Sequence, residues 1–116
     1  MEFTELVERQ INADRQRGFQ IDFADDANRL DQIEKDLIGL FGEVGEFANL
    51  LKKVRLATNH RRYPGPTLAL AERELRDELA DVAIYLFRLS VMLGGNLEVD
   101  ILAKMDVNDI RYKTID

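Results

Sequence analysis

The sequence predicts an all-α protein built on two long antiparallel helices. Apolar residues recur every three or four positions through residues 33–54 and again through residues 68–93, which is the period of an amphipathic helix. A Pro-Gly-Pro segment at residues 64–66 separates the two stretches and breaks helical structure. Shorter periodic stretches flank the pair, so we expect a bundle of four to five helices.

The first helix is predicted over residues 3–17. Thr4 is its expected N-cap, because a threonine hydroxyl can accept a hydrogen bond from the first turn. Gly18 is its expected stop, since glycine readily adopts the left-handed conformation that ends many helices. Beyond it, apolar residues alternate instead of recurring at helical spacing, which predicts an ordered loop.

The other three helices follow from similar signals. The second is predicted to begin between residues 25 and 31 and to end near Ala57. The third follows Thr67, a suitable N-cap, and stops at Gly94. The fourth is predicted over residues 97–111, where apolar and polar side chains again share separate faces.

The composition limits the classes of protein and of site. A chain of 116 residues has room for one compact domain, expected over residues 1–116. The absence of cysteine excludes thiolate metal sites, and the single histidine, His60, excludes a histidine-rich one. No apolar run is long enough to span a bilayer and no signal peptide is recognisable, so we expect a cytoplasmic protein without a membrane partner. The net charge of −6 argues against general binding to nucleic acid.

Each long helix carries a pair of carboxylates beside its apolar face. Glu43 and Glu46 lie on the second helix, and Glu78 and Asp81 lie on the third. Turning a carboxylate toward a core is costly unless a cation or hydrogen bonds meet it. One pair alone is more simply explained by carboxylates at a solvent-exposed edge of the helix, or by ion pairs with a lysine or an arginine. Two pairs brought together favour a hard divalent cation, and we predict Mg²⁺, with Mn²⁺ as a substitute.

Three segments in order resemble the MazG-like, all-α nucleoside triphosphate pyrophosphohydrolases. They read GEVGEFANLLKK, ELRDELADVAIYLFRL and KMDVNDIRY, and the resemblance covers residues 37–112. It is closest to the small single-domain members, which include the dCTP pyrophosphatases. The resemblance implies Mg²⁺-dependent hydrolysis of nucleoside triphosphates, with deoxynucleotides favoured and dCTP or a non-standard nucleotide as candidate substrates. It also implies a house-cleaning role in the nucleotide pool, with Glu43, Glu46, Glu78 and Asp81 as the metal-binding and catalytic residues.

The closing motif of this resemblance supplies candidate substrate-binding residues. Lys104 and Arg111 are implied to contact phosphate, while Asn108 and Tyr112 are implied to help hold the nucleotide. Tyr85, on the third helix, is implied to lie near the sugar or the base. Lys104, Asn108 and Arg111 share one side of the fourth helix. From this spacing alone, a solvent-exposed polar face is the simpler explanation.

Aromatic residues and glycines near the site leave alternatives open. Phe19 and Phe23 are expected to fill the core, and stacking on a nucleotide base is the alternative role. Gly42 and Gly45 indicate either close helix packing or space for metal and phosphate. The basic loop at residues 60–66 is expected to be an ordinary connection, with a lid over the phosphates as the alternative.

The apolar surface of the two long helices predicts more than one subunit. Two long helices form a slab with apolar surface on more than one side, and such surface is normally hidden by self-association. The resemblance implies an obligate homodimer, often paired into a tetramer, in which the neighbouring chain completes each site. We therefore expect that the chain is not a monomer.

Two other functions remain open from the sequence. The first is a non-catalytic helical dimerisation or adaptor module whose acidic face binds a basic partner. The second stays within the resemblance, as a phosphoribosyl-ATP pyrophosphohydrolase or a dimeric dUTPase. The residues do not decide the base and sugar preference, the number of metal ions or which carboxylate accepts a proton, for which Glu74 is a further candidate.

Overall fold

The computed structural model describes residues 1–113, and these form four α-helices joined by short connections. Within this range there is no β-strand, and the predicted all-α fold is confirmed. The helices are α1 (Phe3–Gln16), α2 (Asp26–Asn59), α3 (Leu68–Met92) and α4 (Leu97–Lys113).

Most of the predicted helix ends have the expected local structure. The Thr67 hydroxyl accepts a hydrogen bond from the Leu70 amide and caps α3. Gly18 and Gly94 have φ angles of 81° and 73°, the left-handed region that glycine enters without a steric penalty. Helices α1 and α3 therefore end next to these glycines, as predicted.

Thr4 is not an N-cap, and that prediction is wrong. Helix α1 begins two residues earlier than this role requires, with Glu2 in the capping position. The Thr4 hydroxyl instead donates a 2.6 Å hydrogen bond to the Glu98 carboxylate. The competing partner comes from α4, which the local sequence around Thr4 could not reveal.

The antiparallel pair of α2 and α3 forms the largest helix–helix interface. Val54, Ala71 and Leu75 are buried together near its loop end, with Phe47 and Leu50 packed against them. Burying these side chains removes apolar surface from water and is the main term that holds the pair together. The two helices are therefore fixed in register from the loop toward the middle of α2.

Helix α1 packs across α3 at the other end of the pair. The Phe3 and Phe87 rings meet edge to face, with centroids 5.6 Å apart and planes at 82°, a preferred geometry for aromatic pairs. Ile11 and Ile21 are also buried there. The start of the chain thus covers the face of α3 that carries Phe87.

Helix α4 turns away from α3 at the Gly-Gly-Asn segment. The two helices make an angle of 98°, and α4 contacts α1 and α3 but, among the described residues, not α2. No single described helix is long and apolar enough to cross a membrane, although the bent pair of α3 and α4 meets that test by length and composition alone. Most of α4 is consequently exposed.

The apolar residues of α2 do not all face α3. Leu37, Val44 and Leu51 belong to the apolar pattern of residues 33–54, which predicts one inward face, but between 42% and 44% of each remains exposed. Val54, from the same apolar pattern, is buried, and Asp36 takes the other buried position of α2, because apolar residues cover more than one side of this helix. Exposed apolar side chains also occur on α3 and α4, as the slab geometry predicts. Examples are Ile38, Phe41, Leu79, Leu86, Leu93, Leu102, Met105 and Ile110.

Candidate metal centre and its two clefts

A line of polar residues runs along the interface of α2 and α3, and we call it the polar seam. Its members recur at intervals of three and four residues on each helix, so they share one helix face. Because the helices are antiparallel, residues late in α2 lie opposite residues early in α3. The polar seam consists of Gln32, Asp36, Glu43 and Glu46 on α2, with Gly39 at the intervening position, and of Glu78, Asp81, Tyr85 and Arg88 on α3.

Three of the predicted carboxylates converge in the middle of the polar seam, and we call them the carboxylate cluster. Glu43, Glu46 and Glu78 each place one oxygen within 4.8 Å of the other two. Glu43 and Glu78 are half-buried, whereas Glu46 is exposed. Asp81, the fourth predicted residue, is exposed outside this group and lines a cleft beside Glu43.

The carboxylate cluster fits a divalent cation. Glu43 Oε2 and Glu78 Oε2 are buried and have no hydrogen-bond partner among residues 1–113. Buried polar atoms without partners are costly, and three carboxylates so close together repel one another. A hard cation bound through oxygen relieves both penalties, and Mg²⁺ and Mn²⁺ prefer such ligands.

The same crowding changes the titration of Glu78. The Glu43 carboxylate, which would accept a hydrogen bond from protonated Glu78, is the largest cause, and burial and Glu46 act in the same direction. Together they raise the pKa of Glu78 from 4.5 to about 7. Without a cation, the carboxylate cluster therefore retains a proton near neutral pH.

This raised pKa predicts how pH and metal together control stability. Between about pH 4.5 and 7 the folded protein holds a proton on Glu78 that the unfolded chain releases. The free energy of unfolding of the metal-free protein therefore falls as pH rises through this range. Mg²⁺ displaces that proton, so it should raise the Tm more at pH 8 than at pH 5.

The measurement is a thermal melt at both pH values, with Mg²⁺ and with EDTA. Other groups titrate in the same range, so the control is Glu78→Gln, which removes this group alone. The part of the pH dependence caused by Glu78 should be absent from that variant. An equal Tm gain from Mg²⁺ at pH 5 and pH 8 in the unaltered protein would contradict the prediction.

A cleft of about 380 Å³ extends from the carboxylate cluster toward α1, and we call it the α1-side cleft. Glu43 and Asp81 line its near end, and Arg88 lies at its far end. The Tyr85 ring also lines the cleft and packs against the backbone of α2 at Gly39. The remaining lining residues are Gln10, Asp14, Phe19, Gln32, Asp36 and Ile84.

Glycines on α2 shape this region in two ways. A Cβ at Gly39 would lie 2.5 Å from Tyr85 Cε1 and Oη, so the ring needs a residue without a side chain there. A Cβ at Gly42 or Gly45 would meet nothing within 4 Å. Both positions are exposed, so neither glycine is needed for helix packing within one chain, while Gly39 serves close packing.

Phe19 does not fill the core, and that expectation is wrong. It is 57% exposed and forms one wall of the α1-side cleft, while Phe23 is half-buried. The Phe19 amide donates a 2.9 Å hydrogen bond to the Asp14 carbonyl, just after the left-handed Gly18. Ile21, and not Phe19, is the buried apolar residue of this loop.

A buried charge network at the far end of this cleft was missed by the sequence analysis. Arg88 Nε and Nη2 donate to both oxygens of Asp36, at 2.7 and 3.2 Å, and Arg88 Nη1 donates to Asp14 Oδ2 at 3.0 Å. Gln10 and Gln32 donate to the same two aspartates. Burial lowers the pKa of Arg88, but the hydrogen bonds and charges of Asp36 and Asp14 outweigh it, so the net shift is upward.

This network ties three helices together. Asp14 lies on α1, Asp36 on α2 and Arg88 on α3, and all three side chains are nearly inaccessible to solvent. The available signal was spacing, because Asp36 precedes Glu43 by seven residues and Arg88 follows Tyr85 by three. Both spacings continue the faces that carry the predicted site.

A second cleft, of about 240 Å³, lies on the other side of the carboxylate cluster and nearer the α2–α3 loop. We call it the loop-side cleft. Glu46 and Glu78, which belong to the carboxylate cluster, line one end of it. The other lining residues are Asn49, Leu50, Lys53 and Glu74.

Comparison with curated proteins identifies relatives of the chain. It is 40% identical to dCTP pyrophosphatase 1 of Homo sapiens over 79 residues, which make up 66% of this chain and 43% of that protein. The matching proteins of Bos taurus and Rattus norvegicus are 39% and 37% identical with the same coverage. The matched segment is homologous to the dCTP pyrophosphatases.

The predicted resemblance to nucleoside triphosphate pyrophosphohydrolases is thereby confirmed. The match spans less than half the length of each dCTP pyrophosphatase. No protein-family model matches the chain, and no solved structure matches it. The relationship to the dCTP pyrophosphatases therefore rests on sequence, and the geometry described above is independent of it.

The substrate-binding residues expected from the closing motif are not brought to the carboxylate cluster within one chain. Lys104, Asn108, Arg111 and Tyr112 are all exposed on α4, which does not contact α2 in the described part of the chain. Tyr85 alone among the five expected residues lines a cleft beside Glu43. The roles of the four residues on α4 stay predictions.

The loop at residues 60–66 begins well away from the carboxylate cluster of its own chain, and a lid over the phosphates stays a prediction. At 1.5 Å per residue, His60 lies roughly 20 Å along the helix axis from Glu46. Gly65 is held against the Tyr63 ring and the Lys53 carbonyl, where an added Cβ would approach to 2.7 and 2.8 Å. This position is consistent with the ordinary connection that was expected.

Proposed function

We propose that this protein is a Mg²⁺-dependent nucleoside triphosphate pyrophosphohydrolase that releases a monophosphate and pyrophosphate. The observation that carries the proposal is the carboxylate cluster, whose buried Glu43 and Glu78 oxygens lack partners in the described chain. Its homology to proteins named dCTP pyrophosphatase 1 supports deoxynucleotides as the substrates, with dCTP the first to test. A house-cleaning role in the nucleotide pool follows from that activity.

Glu43, Glu46 and Glu78 would hold the cation, with Asp81 as the fourth predicted ligand. When bound, Mg²⁺ supplies charge that neutralises phosphate oxygens and lowers the pKa of the attacking water. The carboxylates orient the reacting groups, and one of them accepts the proton of that water. The α-phosphorus lies at the carboxylate cluster in this proposal.

The α1-side cleft receives the nucleoside. Tyr85 and Phe19 offer aromatic surface for the sugar and the base. The network of Arg88, Asp14 and Asp36 carries a net charge of −1 at its far end, which disfavours phosphate there. The position of Phe19 supports base stacking, the alternative role considered for it from the sequence.

Release of pyrophosphate from a panel of deoxynucleoside and ribonucleoside triphosphates tests the proposal. We expect release with Mg²⁺, none with EDTA, and the highest kcat/KM for a deoxynucleotide. Absence of release from every triphosphate would overturn the enzymatic assignment and leave the adaptor module as the explanation. Against that module, Glu43 and Glu78 turn oxygens inward, whereas a face for a basic partner should point outward.

A second copy of the chain completes the site in this proposal. The carboxylate cluster has few cations nearby, and Lys104 and Arg111 lie on a helix that does not contact α2 of the same chain. Exposed apolar residues on α2, α3 and α4 provide surface for association. A homodimer, or a tetramer formed by two dimers, would bring α4 of one chain to the carboxylate cluster of another.

Light scattering at micromolar concentration tests this assembly. We expect a mass of at least twice the 13.4 kDa of one chain, since the exposed apolar surface is too extensive for a lone molecule. The control is Met105→Glu, which places a charge on an exposed apolar position of α4 and should weaken association. A mass of one chain for the unaltered protein would exclude the proposed completion of the site.

A further inference from the structure

We infer that Lys53, together with Asn49, binds the leaving pyrophosphate in the loop-side cleft of the same chain. This inference rests on the proposed function and adds a substrate-binding residue to it. Lys53 has no predicted role in the site from the sequence alone.

The carboxylate cluster separates two clefts that lie on opposite sides of it. Glu43 lines the α1-side cleft, while Glu46 and Glu78 line the loop-side cleft. Hydrolysis at the α-phosphorus divides the substrate into a nucleoside monophosphate and pyrophosphate. A substrate centred on the carboxylate cluster therefore places its nucleoside in one cleft and its pyrophosphate in the other.

Charge and chemistry decide which part occupies which cleft. The α1-side cleft has aromatic rings and an excess of aspartate over arginine at its far end. The loop-side cleft also has three carboxylates, but Glu46 and Glu78 hold the cation in the proposed function, which leaves Glu74 beside Lys53 and Asn49. Lys53 is the one cation among the lining residues, and the Asn49 amide can donate hydrogen bonds. Phosphate oxygens are better matched by an ammonium and an amide than by carboxylates.

Glu46, Asn49 and Lys53 form a stripe on α2 that leads from the carboxylate cluster into the loop-side cleft. These residues follow one another at three and four positions on α2, so their side chains lie on one helix face and lead away from the carboxylate cluster. Within residues 1–113, Lys53 forms no ion pair with Glu74 or any other carboxylate. Its exposed ammonium is therefore available to an anionic ligand.

The neighbouring residue Lys52 provides a matched control. It is also exposed on α2, but it lines a separate groove with Leu51 and Arg55 and away from the carboxylate cluster. Alanine at position 52 or 53 removes the same charge and stem from adjacent sites of one helix. Only the loss of Lys53 should affect a ligand in the loop-side cleft.

The experiment compares Lys53→Ala, Lys53→Arg and Lys52→Ala with the unaltered protein in Mg²⁺. Calorimetric titration with pyrophosphate and with dCMP gives direct binding constants, and dCTP turnover gives KM and kcat. In Lys53→Ala we expect the Kd for pyrophosphate to rise about tenfold or more, with dCMP binding unchanged. Lys53→Arg should retain most of the affinity for pyrophosphate, and Lys52→Ala should match the unaltered protein.

Two results for the variants would overturn the inference. Equal behaviour of Lys53→Ala and Lys52→Ala would show that the loop-side cleft does not hold pyrophosphate. An equal loss of pyrophosphate and dCMP binding would show that Lys53 only balances the charge of the carboxylate cluster. Failure of the proposed function is recognised separately, because the unaltered protein would then release no pyrophosphate from any triphosphate.

Discussion

Replacement of Glu46 by Gln is expected to reduce Mg²⁺-dependent pyrophosphate release by at least about a hundredfold. The substitution removes a negative charge from the carboxylate cluster while keeping nearly the same shape. Glu46 is exposed, so circular dichroism should show unchanged helicity. Near-native turnover by this variant would contradict the assignment of the carboxylate cluster as the metal centre.

The companion variant Glu78→Gln separates function from stability. It should also lose activity, but the metal-free variant should be more stable than the unaltered protein at pH 8, because one of three crowded charges is gone. Glu72→Gln is the control, since Glu72 is an exposed acid on α3 that lines neither cleft. That variant should retain its activity and its Tm.

Replacement of Arg88 by Met is expected to be the most destabilising single change considered. It leaves Asp14 and Asp36 buried without their cation, and breaking a buried ion pair in this way costs about 3–5 kcal/mol. The measurement is the free energy of unfolding from urea denaturation at one fixed protein concentration, because association contributes to stability. A loss below about 1 kcal/mol would show that the network is not a structural element.

An exposed arginine provides the comparison for Arg88. Arg15 pairs with Asp22 at 2.9 Å, but 46% and 73% of the two side chains remain accessible. Pairs of this kind contribute between about 0 and 1 kcal/mol, so Arg15→Met should have little effect. Removing the two buried charges as well, in Arg88→Met with Asp14→Asn and Asp36→Asn, should recover part of the lost stability.

The sequence was sufficient for the features that local periodicity and spacing determine. Helix ends at Thr67 and Gly94 follow from capping chemistry, and Glu43, Glu46 and Glu78 converge because their spacing places them beside the facing sides of two helices. Such signals require only nearby residues. The all-α fold and the carboxylate cluster could therefore be predicted.

Features that depend on distant partners could not be predicted in the same way. Leu37 and Asp36 are neighbours on a helix with apolar residues on several sides, and only the docking of α1 and α3 decides that Asp36 is buried. Thr4 takes Glu98 as its partner across 94 residues. The position of α4 likewise depends on the turn after α3 and on surfaces beyond a single chain.

The hydrogen bond between Asp14 and Arg88 also has a consequence for the order of folding. It joins residues 74 positions apart, whereas α2 and α3 are connected by a loop of fewer than ten residues. Long chain closures carry a larger entropy cost and generally form later. The hairpin should therefore assemble first and α1 should dock last. The wall of the α1-side cleft that α1 and Phe19 provide would then be the first part to detach in local opening, leaving the carboxylates on an intact hairpin.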